Sequence, residues 1–118
     1  MELSLTLPYP HGVSVNACWS RSKRGVFLNK DVIYYRSEVF VRCYGKTKFK
    51  DSKLDVRIDM YPPDNRKRDI DNILKVVLDV LQKADLFEDD CQIFKLYVEK
   101  HSKFPAGKLD VLIKSMDN

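Results

Sequence analysis

Ile70-Asp-Asn-Ile-Leu-Lys-Val-Val-Leu-Asp-Val-Leu-Gln-Lys-Ala84 is the run on which the architecture turns. Ile70, Ile73, Leu74, Val77, Leu81 and Ala84 recur at helical spacing and form an apolar stripe, while Asp71, Lys75, Asp79 and Gln82 take the opposite side. Val76 and Val80 widen the stripe on one flank, so something beyond a single sheet is expected to cover it, a second copy of the chain being one candidate. Just upstream, Leu54-Asp-Val-Arg-Ile-Asp-Met60 alternates apolar and charged residues with the period of a half-buried strand, and Pro62-Pro63 ends it.

On the N-terminal side, residues 2 to 7 read as a strand through Leu3, Leu5 and Leu7. An irregular stretch rich in Pro, Gly, Asn and Ser follows from Pro8 to about Asn29, long enough in a small domain to suggest a functional loop. Residues 31 to 44 suit a helix, with Val32, Tyr35, Val39 and Cys43 in phase and Gly45 as C-terminal cap. On the C-terminal side, Phe94, Leu96 and Val98 mark a third strand, and Leu109, Val111 and Ile113 a fourth. Phe104-Pro-Ala-Gly107 is placed to join these two as a hairpin. The order β-α-β-α-β-β describes an α/β (α+β) domain, a mixed sheet with two helices packed on it.

Nothing divides the 118 residues, so residues 1–118 are read as one domain. With 44% hydrophobic and 32% charged residues the composition is that of a soluble globular protein, and no apolar run approaches the ~20 residues of a membrane span. The N-terminus has no basic leader, and the expected location is the cytoplasm. Cys18, Cys43 and Cys91 are odd in number and widely spaced, which suits free buried thiols in a reducing compartment rather than a zinc site. His11 and His101 stand alone.

Net charge is +4, with the cations clumped at Arg21 to Arg24, Lys46 to Lys53, Arg66 to Arg68 and Lys95 to Lys108. Clumping of this kind neutralises phosphates, although each cluster alone also fits a solvated face. The basic loop Arg66-Lys67-Arg68 leads into Asp69 at the expected helix N-cap and Asp71 in the first turn, with Asn72 beside them. Capping and the helix dipole favour aspartate there by roughly 0.3–2 kcal/mol. Asp71 and Lys75 are spaced for a plain surface pair worth ~0.2–0.5 kcal/mol, and Glu88-Asp-Asp90 suits a solvated turn. Taken together, Asp69, Asp71 and one of Asp89 or Asp90 provide the carboxylate oxygens that Mg²⁺ accepts alongside water and substrate phosphate. Lys75 brings a cation next to them, where phosphoryl charge builds up. The combination points to metal-assisted phosphodiester hydrolysis.

Arg68-Asp-Ile-Asp-Asn-Ile-Leu-Lys75, followed by Asp89-Asp90, resembles the RusA family of Holliday junction resolvases, which shows a basic residue, D-x-D-N, a lysine four residues on, and a D-D pair past the helix. Leu7-Pro-Tyr-Pro10 with Val15-Asn16 and Trp19 is similar to that family's proline-rich start, and Tyr35-Arg36 falls in its first helix. His11-Gly12 and Asp85 depart from the pattern, Asp85 standing where a glycine often ends the helix. The resemblance implies a homodimeric, Mg²⁺- or Mn²⁺-dependent endonuclease making paired nicks in four-way junction DNA. It would make Asp69, Asp71 and Asp90 metal ligands and Lys75 the catalytic lysine, with Arg68 and Asn16 near DNA. Arg66, Lys67, Asn72 and Lys75 join the candidate DNA contacts. Two other readings remain open: a basic nucleic-acid-binding module whose carboxylates only cap a helix, and a metal-dependent nuclease acting on other branched DNA or on RNA.

Overall fold

A computed structural model describes residues 1–10, 19–22, 25–28 and 30–116, with backbone alone at 19–22 and 25–28. Its elements are β1 (Glu2–Leu7), β2 (Trp19–Ser22), β3 (Gly25–Leu28), α1 (Lys30–Cys43), β4 (Leu54–Tyr61), α2 (Ile70–Lys83), a short 3-10 turn (Asp90–Gln92), β5 (Ile93–Lys100) and β6 (Lys108–Ser115). Four strands form one mixed sheet in the order β1-β6-β4-β5. Both expected helices are present, and Gly45 takes φ +74 just beyond α1, as a helix-ending glycine does. Asp85 does the same after α2 with φ +66, a conformation aspartate tolerates better than most residues.

The sheet has one dry face. Leu3, Leu5 and Leu7 of β1, Leu54, Val56, Ile58 and Met60 of β4, and Leu109, Val111 and Ile113 of β6 all turn to it. Val32, Tyr35, Val39 and Cys43 of α1 and Ile73, Val77, Val80 and Leu81 of α2 cover it. Tyr35 also donates its hydroxyl to the Pro8 carbonyl at 2.7 Å, tying the proline-rich start to α1, and burial raises the pKa of that phenol.

Four expectations need correction. The Phe104–Gly107 turn forms, with Gly107 N–H donating to Phe104 C=O at 2.8 Å, but it does not close a hairpin. Instead β5 runs parallel to β4, and β6 runs antiparallel to β4 on the other side. β4, whose inward side chains Leu54, Val56, Ile58 and Met60 are fully buried, has neighbours on both edges, and the α2 crossover returns β5 parallel to it. In addition, Trp19–Ser22 and Gly25–Leu28 pair as a small antiparallel ribbon where an irregular stretch was expected, since two strands of four residues leave almost no periodic signal.

The flank of α2 that carries Val76 and Val80 is buried within the chain itself, and α1 packs alongside α2, so it calls for no partner copy. Exposed apolar side chains lie elsewhere, at Ile33, Tyr34, Phe40, Val41 and Tyr44 of α1 and at Phe94 and Leu96 of the edge strand β5. Leu96 pairs with Val56 and so shares the core face, yet the edge strand leaves it 44% exposed. Finally, Cys91 is exposed rather than buried, while Cys43 is buried as expected and Cys18 lies outside the described residues.

Candidate active site

The β4–α2–β5 unit carries the acidic segment. Asp69 is the N-cap residue of α2 in extended conformation (φ −85, ψ 137), yet its side chain makes no capping hydrogen bond. Capping therefore does not account for this aspartate, and only the helix dipole favours it there. Asp71 is exposed in the first turn of α2, and Asn72 is half-buried beside it.

Asp89 and Asp90 have different roles. Asp89 caps the 3-10 turn: its side chain accepts from the Cys91 N–H at 2.9 Å, and Gln92 closes a capping box by accepting from the Asp89 N–H at 2.8 Å. Those Cys91 hydrogen bonds hold the Asp89 carboxyl below its usual range. Asp90, the next residue, points to α2, and its Oδ2 accepts from Lys75 Nζ at 3.1 Å. Lys75 also lies 3.2 Å from Asp79 Oδ1, so the Asp71–Lys75 pair that spacing allows gives way to these two partners. Both hydrogen bonds, that to Asp90 foremost, raise the Lys75 pKa above its ordinary value.

The basic loop before α2 divides similarly. The Arg66 side chain is 83% exposed and Lys67 is exposed, whereas Arg68 is 19% exposed and bonded to Asp64 Oδ1 at 2.6 Å. Asn16 lies outside the described residues.

Asp69, Asp71 and Asp90 do not crowd into a set with all ligand atoms within 4.8 Å; among the described residues Asp59, Glu99 and His101 do. That second cluster lies across the sheet. Asp59 alternates with the core residues of β4 and pairs in register with Glu99 and Asp110, which places it on the face away from the helices. His101 Nε2 is 2.7 Å from Asp59 and its Nδ1 3.1 Å from Glu99, and its ring stacks on Tyr61 at 4.5 Å. The donor types suit a divalent cation, but Arg57 already holds Asp59 through two hydrogen bonds of 3.0 and 3.2 Å. Arg57 foremost, then His101, keeps the Asp59 carboxyl below its usual range. In the sequence the cluster shows only as outward-facing positions of two strands 40 residues apart, which is why spacing did not reveal it.

The carboxylates at the start of α2 and at Asp90 are hard oxygen donors of the kind Mg²⁺ accepts, and that of Asp69 makes no capping hydrogen bond. The family model described as Endodeoxyribonuclease RusA matches residues 8–114. A crossover junction endodeoxyribonuclease of Enterobacteria phage HK97 is 34% identical over 119 residues, covering 99% of this chain and 98% of the relative. The Escherichia coli (strain K12) protein of that name is 31% identical over 123 residues, covering 98% and 96%. The Enterobacteria phage 82 protein is 30% identical over 122 residues, covering 97% and 95%. With a family match across nearly its full length and relatives of its own size, this chain belongs to the endodeoxyribonuclease RusA family.

Proposed function

We propose that the protein is a structure-selective endodeoxyribonuclease that resolves four-way DNA junctions by metal-assisted phosphodiester hydrolysis, cutting with paired nicks in the cytoplasm as a homodimer. The observation that carries this reading is the Lys75–Asp90 contact, which brings the second acidic motif against the helix that bears Asp71. Asp69, Asp71 and Asp90 would hold Mg²⁺ or Mn²⁺. The bound ion supplies Lewis-acid stabilisation and orients the scissile phosphate.

The chain's own residues do the rest. Lys75, its charge secured by Asp90 and Asp79, sits where it can stabilise the phosphoryl oxygens as negative charge develops. Arg66 and Lys67 extend from the loop to the flanking backbone, contacts that fix position without reading bases. A junction with approximate twofold symmetry matches two identical sites in a C2 dimer, and the exposed apolar stripe of α1 offers a surface for the second copy.

The test is cleavage of a synthetic four-way junction in Mg²⁺ or Mn²⁺, with a fork, a linear duplex and a hairpin RNA as competitors. Selective metal-dependent nicking of the junction is expected. No metal-dependent nicking would leave only a nucleic-acid-binding module, and equal cutting of duplex or RNA would remove the structure selectivity. A sedimentation mass of one chain would remove the dimer.

A further inference from the structure

We infer that Asp64 is a positioning residue for junction binding, which holds Arg68 and the turn of the Arg66–Arg68 loop in the shape that meets the DNA backbone. The inference rests on the proposed function and adds to it a residue that carries the wrong charge for a phosphate contact.

The loop from Pro62 to Asp69 has neither helix nor strand, yet it is fastened along its length. Phe104 N–H donates to the Pro62 carbonyl at 2.8 Å. Pro63 packs on Gly107 so closely that a Cβ there would lie 3.1 Å from Pro63 Cδ and 2.8 Å from Tyr9 Cβ. Asp64 Oδ1 then accepts from both Arg66 N–H at 2.9 Å and Arg68 Nη1 at 2.6 Å, and its Oδ2 lies 3.7 Å from Arg66 Nε. The first contact is a side chain mimicking a backbone turn, and the second bends Arg68 back over the buried ring of Tyr9, 5.6 Å from its centroid. Lys100 Nζ donates to the Arg68 carbonyl at 3.0 Å, one residue before Asp69.

A carboxylate inside a basic loop repels phosphate, so on charge alone its removal should tighten binding. What it supplies instead is order, because an arginine already held in one geometry loses less freedom when it meets the backbone. The two effects have opposite signs, and a binding measurement separates them.

The full-length protein would be titrated with a four-way junction in EDTA, so that no divalent ion is present for cutting, across about 50–200 mM salt. Asp64→Ala should weaken binding about 3- to 10-fold despite losing a negative charge, with Asp64→Asn intermediate. The slope of log affinity against log salt should fall by about one in both Arg68→Ala and Asp64→Ala. In the Arg68→Ala background, adding Asp64→Ala should weaken binding less than it does in the wild type, because only the Arg66 contacts remain to be lost. Binding as tight as wild type or tighter in Asp64→Ala overturns the inference, as does full additivity with Arg68→Ala. If Asp64→Ala fails to fold, the same comparisons made with Asp64→Asn decide the matter. A wild-type chain that cuts the junction while Asp64→Ala binds normally sinks only this inference, whereas a wild-type chain that ignores the junction sinks the proposed function beneath it.

Discussion

Lys75 Nζ stands 3.1 Å from Asp90 and 3.2 Å from Asp79, a cation clasped by one carboxylate on its own helix and one delivered from beyond that helix. The side chain is 54% exposed, so the clasp contributes little to folding and its value lies in holding the amine at the site. Lys75→Ala should fold normally, bind junction, and lose cleavage by about 10²- to 10³-fold, read as kcat with the melting temperature as control. Because the pKa is raised above its ordinary 10.5, the charge persists as pH rises and is lost only above that value. Cleavage rates should therefore show no alkaline fall from this group between neutrality and that pH.

Asp89 and Asp90 are adjacent, and their substitutions should separate cleanly. Asp89→Ala removes the cap of the 3-10 turn and should lower stability modestly in denaturant unfolding, with cleavage reduced only in proportion. Asp90→Asn should leave stability nearly unchanged and abolish cleavage. The reverse pattern would assign the ligand role to Asp89.

Asp71→Asn should likewise abolish cutting, by more than about 10³-fold, with junction affinity largely intact, as measured by gel shift beside a cleavage assay. Cutting retained in this variant would count against the carboxylate mechanism.

The Asp64 carboxyl is pushed down to about 2 from an ordinary 3.8, chiefly by the Arg68 hydrogen bond. A depressed carboxylate stabilises the fold fully above its unfolded value and stops doing so as pH falls through the folded value. Acid unfolding of the wild type should thus include a loss between pH 3.8 and about 2 that Asp64→Asn lacks. Identical acid limbs would show that the contact adds nothing to stability.

Gly107→Ala joins a positive φ of 74° to a Cβ contact of 2.8 Å with Tyr9. It should destabilise by about 1–3 kcal/mol and, by displacing Pro63, reduce cleavage more than the loss of stability alone predicts. An unchanged melting temperature would mean that the turn relaxes freely.

The contrast between α2 and β5 shows where local pattern sufficed. Fourteen residues of α2 carry a continuous 3.6-residue rhythm, and β4 a strict two-residue rhythm, so both are legible from neighbours along the chain. The same local reading located Asp69, Asp71 and Lys75 on one helix and its cap, because their relation is set by helical geometry. It also marked a strand through Phe94, Leu96 and Val98, but not its neighbour, and it missed the ribbon at 19–28, where each strand has only four residues.

Element types, the acidic helix start and the family motif were thus inherent in residue order, since each depends on side chains within a turn or two of one another. Which side of β4 receives β5, that Asp90 rather than Asp89 reaches Lys75, that Val76 and Val80 are buried within the chain, and that Asp59 meets His101 were settled only on folding. Each of these depends on residues far apart along the chain, whose approach is governed by burial of the shared core and by backbone hydrogen bonding between strands, and local periodicity contains no information about either.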